Sequence, residues 1–311
     1  MMYTIKETPE DFKVTEIACF SESELGEGEY TYCLLEKRNI GTIEAVKQIA
    51  VRLGIPVKRI GFAGNKDKKA VTSQFISVEG EVSDLSFGDI TVTVIGKSDT
   101  PIHLGYLSGN SFEIVVRGVE VQDVKSPFII PNLFGEQRFS STNADVGRAI
   151  VKGDFKGACG FVIAQGGRLQ ESVEEHLHSN PTDVVGALRC VPGKLLMLFV
   201  HAYQSLLFNE LVSLVEGDVE LPLIGFGTEI DEFGEDVQKA VENIMEREEI
   251  TCRDFIIRAL PELSTEGTTR TSRVEVADFE MVAVENGVVL KFSLPKNSYA
   301  TVVVDQLFGK N

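Results

Sequence analysis

Gly61-Phe62-Ala63-Gly64-Asn65-Lys66-Asp67-Lys68-Lys69-Ala70-Val71-Thr72-Ser73-Gln74 is the stretch on which the fold turns. A strand-like run, Arg59 to Ala63, enters it, and a second, Gln74 to Val78, leaves it. The first run carries Gly61 and is followed by Gly64, glycines that permit backbone shapes other residues resist, and the chain then presents one carboxylate among ammonium groups. Asp67 is therefore expected on a turn at a strand end. Lys66, Lys68 and Lys69 would favour its ionised form, the form a nucleophile or general base requires. An isolated aspartate in such a place is more often a turn residue pairing with its neighbours, so these residues alone leave both readings open.

Two other readings of the stretch are excluded. Asn65-Lys66-Asp67 resembles the guanine-reading N-K-x-D, but the spacing is one residue short and the chain contains no G-x-x-x-x-G-K-[ST] loop. The four histidines, His103, His176, His178 and His201, form no H-x-x-x-H pair and join no Ser or Cys nucleophile motif. Cys19, Cys33, Cys159, Cys190 and Cys252 are odd in number and contain no C-x-x-C pair, which argues against a disulfide framework or a structural zinc site. They are expected as buried small hydrophobes.

Working outward, Asp11 to Cys19 and Glu29 to Leu35 show β-branched and aromatic alternation around a Gly-Glu-Gly turn. Thr42 is placed to cap a helix with Ile43, Val46, Ile49, Ala50 and Leu53 on one face, ended by Gly54 and Pro56. Further strands are expected at Ile90 to Ile95 and Phe112 to Val116. After Pro127 the texture turns helical, at Ala144 to Lys152, His201 to Val215 and Asp236 to Glu248. Strands are expected again at Val274 to Val276, Val288 to Leu294 and Tyr299 to Val304. These strands are too crowded for a strictly alternating doubly wound fold. A sheet that begins the chain and resumes near its end points to one domain inserted into another.

The 311 residues carry a formal net charge of −17, which sets a negative surface against nucleic acid. The distribution is uneven. From Glu36 to Ala70 nine basic residues face three carboxylates, a composition able to bind polyanions or simply to form a solvated face, while acids crowd Glu229 to Glu249. The longest apolar run, Leu195 to Val200, is far short of the roughly 20 residues of a membrane helix. The N-terminus lacks the pattern of a secretory signal, so a cytoplasmic protein with no membrane span is expected.

The stretch around Asp67 resembles the hallmark of the TruD family of tRNA pseudouridine synthases, Gly-(aromatic)-Ala-Gly-x-Lys-Asp-(basic)-x-Ala-Val-Thr-x-Gln. Lys6 to Glu16 is similar to that family's N-terminal Lys-x-x-Pro-x-Asp-Phe-x-Val-x-Glu, and Leu104 to Phe112 to its Leu-x-x-Gly-Asn-x-Phe. Pro131 to Phe139 is similar to its Pro-Asn-(aromatic)-Phe-Gly-x-Gln-Arg-Phe, with Leu133 where an aromatic is usual. Ser205 to Asn209 and Leu294 to Thr301 complete a set in the family order.

The resemblance implies an α+β fold: a mixed, mainly antiparallel catalytic sheet over residues 1–129 and 272–311, with an inserted α/β domain over 130–271. It implies isomerisation of a uridine in tRNA, at position 13 in the best-known members, with Asp67 as the catalytic carboxylate. No metal, redox cofactor or nucleotide is implied, and no obligate protein partner is evident. Lys6 is the implied basic partner of the carboxylate; Phe12, Asn110 and Tyr299 are the implied uridine contacts. Tyr299 stands where a phenylalanine is common. Phe112 either fills a slot that other pseudouridine synthases give to tyrosine or closes the core beneath Asn110. Arg270 and Arg273 could reach phosphate or act as hinge salt bridges. The competing readings are a pseudouridine synthase with a different RNA target and a non-catalytic RNA-binding chaperone on the same fold.

Overall fold

The computed structural model describes residues 3–122, 124, 128–140 and 142–309; the change of texture expected at Pro127 falls on a residue outside them. In chain order the first elements are β1 (Phe12–Ile17), β2 (Tyr30–Arg38), α1 (Thr42–Leu53), β3 (Ile60–Phe62), β4 (Val71–Glu79), β5 (Leu85–Phe87), β6 (Ile90–Ser98), β7 (Gly109–Arg117) and β8 (Phe128–Pro131). Helices α2 (Asn143–Val151), α3 (Phe155–Gln165), α4 (Gly167–Ser179), α5 (Val184–Arg189) and α6 (Gly193–Leu214) follow. The chain continues with β9 (Glu220–Leu223), α7 (Glu235–Glu248), β10 (Thr268–Thr271), β11 (Arg273–Val284), β12 (Gly287–Pro295) and α8 (Ala300–Phe308). It divides into two compact units, Met1–Ile130 with Val274–Asn311, and Pro131–Arg273.

The first unit is built on a ten-stranded sheet in the order β5-β6-β2-β4-β1-β7-β12-β11-β8, with β3 on β4 beside that path. The pairings of β1 with β7, β7 with β12, β12 with β11, β2 with β4 and with β6, β3 with β4, and β5 with β6 are antiparallel. The exception lies at the centre. β1 runs parallel to β4, with Lys13 opposite Val71 and Thr15 opposite Ser73. Two parallel strands begin at the same end of a sheet, so the segments that precede β1 and β4 emerge side by side.

Helix α1 covers one face over Cys33, Leu35, Ile76 and Val78, burying Ala45, Val46, Ile49 and Ala50. Gly54 ends it in the left-handed conformation, its N–H returning to the carbonyls of Ala50 and Val51. Two details differ from expectation. Gly41 holds the cap position and Thr42 is the first helical residue, and Ile43 is exposed while Ala45 turns inward. On the other face Tyr32 packs with Phe20, Phe75, Ala63, Ile102 and Leu107. The run Tyr299–Val304, expected as a strand, is the start of helix α8. Ala300, Val303 and Val304 are buried at helical spacing, so packing overrides the β-branched propensity.

The second unit contains six α-helices and one two-stranded antiparallel ribbon, β9 with β10, among the described residues. Helix α6 runs through its core, burying Leu196, Phe199, Tyr203, Leu207, Phe208 and Leu211. It starts eight residues before the expected His201, because a helix apolar on most sides has no sharp period to mark its first turns. By length and composition it could cross a bilayer, yet 61% of its most apolar window is buried. A side chain at Gly147 of α2 would collide with the Phe199 carbonyl, so glycine there lets α2 and α6 approach closely. Cys33 and Cys159 are buried, whereas Cys19 and Cys190 are exposed, contrary to expectation; all five cysteines are free.

Candidate active site

Lys6 precedes β1 and Asp67 precedes β4, so the parallel pairing of these strands brings together residues 61 positions apart. The Lys6 ammonium lies 3.3 Å from Asp67 Oδ2 and 3.9 Å from the centroid of the Phe12 ring. Lys6 is held in the left-handed backbone region, φ 57°. That conformation is unfavourable for a residue with a Cβ and directs the side chain at the loop. The Asp67 side chain keeps 37% of its surface open to solvent, against 14% for Lys6.

The loop carrying Asp67 is held by buried polar groups. Gln74 Nε2 donates to the Gly64 carbonyl at 3.1 Å, and the Lys66 N–H donates to Thr42 Oγ1 at 2.9 Å. Thr42 in turn donates to Gln74 Oε1 at 2.8 Å, so the first turn of α1, the loop and β4 share one hydroxyl. Lys66 does not serve Asp67 as expected. Its ammonium turns to Glu16 Oε2 at 2.5 Å, a pair with both side chains almost wholly buried. Lys68 and Lys69 are exposed and form no salt bridge among the described residues. Lys37, 2% exposed, donates to the carbonyls of Ile40 at 2.7 Å and Asp67 at 3.2 Å. Burial pushes its pKa down to about 8, against the opposing pull of Asp67. Glycine is also required where β3 delivers the chain: a Cβ at Gly61 would meet the Ile102 carbonyl.

Phe12 and Phe112 are nearly buried and meet edge to face with centroids 6.2 Å apart; Phe112 also stacks on Phe292 at 5.4 Å. Phe112 thus closes the core, and Asn110 stands two residues before it on the same face of β7. Glu16 of β1 and Leu294 of β12 are the strand partners of Asn110. Asn110 Oδ1 is buried and has no hydrogen-bond partner among the described residues. Tyr299 holds the N-cap position of α8, four residues beyond Pro295, whose strand partner is Gly109. The structure therefore joins Lys6, Phe12 and Asp67 by direct contact, links Phe112 to Phe12, and sets Asn110 beside the Glu16–Lys66 pair.

The sequence reading missed Glu16 and Lys37 as members of this site. The signal was present, since both occupy inward positions of alternating strands, after Phe12 and Val14 in β1 and after Cys33 and Leu35 in β2. Arg270, for which phosphate contact or a hinge ion pair was expected, donates to Asn132 Oδ1 at 2.6 Å and lies over the Phe134 ring at 4.2 Å. Asn209 of α6 exchanges hydrogen bonds with the main chain of Phe134. These residues brace the second unit. His176 pairs with Asp183, His178 and His103 are exposed, and burial lowers the pKa of His201.

Comparison with known proteins gives a consistent picture. A family model described as tRNA pseudouridine synthase D (TruD) matches residues 1–171, 164–217 and 214–307. The tRNA pseudouridine synthase D of Geotalea daltonii is 30% identical, with 97% of this chain and 95% of that protein aligned. A probable tRNA pseudouridine synthase D of Methanopyrus kandleri is 31% identical over 91% of this chain and 86% of its own. The crystal structure of a putative tRNA pseudouridine synthase D from Methanosarcina mazei matches with a TM-score of 0.73 and 26% identity, covering 99% of this chain and 93% of that one.

Proposed function

The chain belongs to the tRNA pseudouridine synthase D (TruD) family, and on that premise we propose that it isomerises a uridine of tRNA to pseudouridine, at position 13, with Asp67 as its catalytic carboxylate. The observation that carries the assignment of Asp67 is its setting. It is a half-open carboxylate, paired with Lys6 on one oxygen, on a loop held by buried hydrogen bonds. A carboxylate so held is oriented before substrate arrives, which is what nucleophilic or general-base work demands.

In the reaction the N1–C1′ bond breaks, the base turns, C5–C1′ forms, the C5 proton leaves and N1 takes up a proton. The uridine must first be extruded from the folded RNA. Asn110 supports a role in gripping the base, because its unpartnered buried oxygen is the acceptor that an imide N–H would satisfy. Phe12 supplies an apolar ring beside the Lys6 ammonium that pairs with the carboxylate. Lys6, Phe12, Asp67, Asn110, Phe112 and Tyr299 all lie in the first unit, which supports reading residues 1–130 and 274–311 as the catalytic domain and 131–273 as the insertion. The cytoplasm is the corresponding place of work.

Asp67→Asn tests the reading. The amide keeps size and some hydrogen bonding but loses charge and nucleophilicity. Tritium release from C5-labelled tRNA is expected to vanish while tRNA affinity stays within a few-fold of wild type. Turnover above a small fraction of wild type in that variant would remove Asp67 from the mechanism.

A further inference from the structure

β2 alternates regularly into the core beneath α1 through Cys33 and Leu35, and the next inward residue is Lys37. A lysine is out of place there. A buried ammonium is unfavourable unless compensated, and Lys37 forms no salt bridge with a carboxylate among the described residues. Its hydrogen bonds go to two main-chain carbonyls, one at the junction of β2 and α1 and the other on Asp67 itself. The side-chain and hydroxyl anchors ahead of Asp67 grip Gly64 and Lys66, and behind it the Asn39 N–H donates to the Ala70 carbonyl at 3.0 Å.

We propose that Lys37 is a positioning residue for the isomerisation: its ammonium fixes the main-chain carbonyl of Asp67 and with it the direction in which the carboxylate leaves the loop. The proposal rests on the reading of Asp67 as the catalytic group. An ammonium bonds a carbonyl more strongly than a neutral donor does. It also lends positive charge to the carboxylate without occupying an oxygen. Lys6 lies nearest Oδ2 and Lys37 holds the main chain, and the Asp67 side chain keeps 37% of its surface open. The ionisable groups facing Lys37 are Asp67 and Lys66 of the loop. Lys66 is neutralised by Glu16 of β1, and Asp67 is shared with Lys6. Because burial pushes Lys37 down to about 8, its charge is lost on the alkaline side of neutrality.

The test compares wild type, Lys37→Met, Lys37→Arg and Asp67→Asn in single-turnover pseudouridine formation, tRNA binding and thermal unfolding. Lys37→Met is expected to lower the rate of the chemical step roughly tenfold to a hundredfold, the scale of a small misplacement of a reacting group. Its tRNA affinity should stay within about threefold, and its Tm should not fall, since an uncompensated buried charge is gone. Lys37→Arg should recover part of the rate, and the alkaline decline of the wild-type rate near pH 8 should be absent from Lys37→Met. A folded Lys37→Met with wild-type rate, or one whose rate loss follows lost binding or a lowered Tm, overturns the proposal. Should Lys37→Met fail to fold, Lys37→Arg decides: its alkaline limb must move upward with the higher pKa of arginine, and an unmoved limb overturns the proposal. An active Asp67→Asn would instead defeat the reading of Asp67, whatever Lys37 does.

Discussion

Lys6 is a long side chain in a backbone conformation suited to glycine, and it ends on the carboxylate of Asp67. Replacing it by glycine separates the two properties. Lys6→Gly relieves backbone strain of about 1 kcal/mol while removing the ammonium. Stability in urea is expected to be unchanged or slightly higher, and single-turnover rate to fall by about tenfold or more. Equal rates would make the pair ornamental to the chemistry. At this scale the sequence exposed the reactive residue and hid its supports. Asp67 could be placed on a strand-end turn from Gly61, Gly64 and the flanking lysines. Which lysine serves it could not be read locally, because the neighbouring Lys66 turns to Glu16 and the distant Lys6 takes its place. The choice is made by the parallel pairing of β1 and β4, a long-range fact that no local window contains.

Helix α1 is joined to the Asp67 loop through Thr42, which accepts from one segment and donates to another. Thr42→Val keeps the shape and strands the Lys66 N–H and the Gln74 oxygen in the interior. Unfolding free energy is expected to fall by about 1–3 kcal/mol, with turnover falling as well, because the loop loses its link to the helix. Circular dichroism should show α1 retained, since Gly41 and not Thr42 holds the cap. A second element-scale test concerns the acidic helix α7. Its charges read alike in sequence, but Glu242 and Glu246 are exposed, whereas Glu248 lies under Arg148 at 2.9 Å and accepts from Tyr203 at 2.9 Å. Glu248→Gln should destabilise the protein by about 1–3 kcal/mol in denaturant unfolding, while Glu242→Gln and Glu246→Gln stay within about 0.5 kcal/mol of wild type. Elements with a sharp period, such as α1 and α7, could be read nearly to their ends. Helix α8 could not, because Thr301-Val302-Val303-Val304 has strand propensity and only its docking on the core makes it helical.

Across the whole molecule the negative charge of −17 leaves one segment exceptional. Lys47, Arg52, Lys58, Lys68 and Lys69 form no salt bridge among the described residues, whereas Arg59 pairs with Glu79 and Lys97 with Glu81. Each unpaired cation that meets an RNA phosphate should contribute about 0.7–0.9 to the slope of log affinity against log salt. Lys68→Gln with Lys69→Gln is therefore expected to flatten that slope, and Arg59→Gln to change it less. Identical slopes would place the RNA elsewhere. Lys37 gives the protein a pH signature of its own. Its folded pKa, about 8, lies below the ordinary 10.5, so between these values the unfolded chain holds a proton that the folded chain has released. Its contribution to stability thus rises with pH as turnover falls, and the Tm gap between wild type and Lys37→Met should shift in favour of wild type over that window. The sheet has a further consequence for a chain still being made. β7 finds its partner β12 only after the 131–273 unit has been synthesised, with Gly109 destined for Pro295 and Arg117 for Gly287. At about 5–20 residues per second, that edge of β7 waits on the ribosome for roughly 10–30 s with its hydrogen bonds unclaimed. This is the interval in which a nascent chain is most open to pairing with a neighbour on the same message, and in which a holding chaperone has the most to protect.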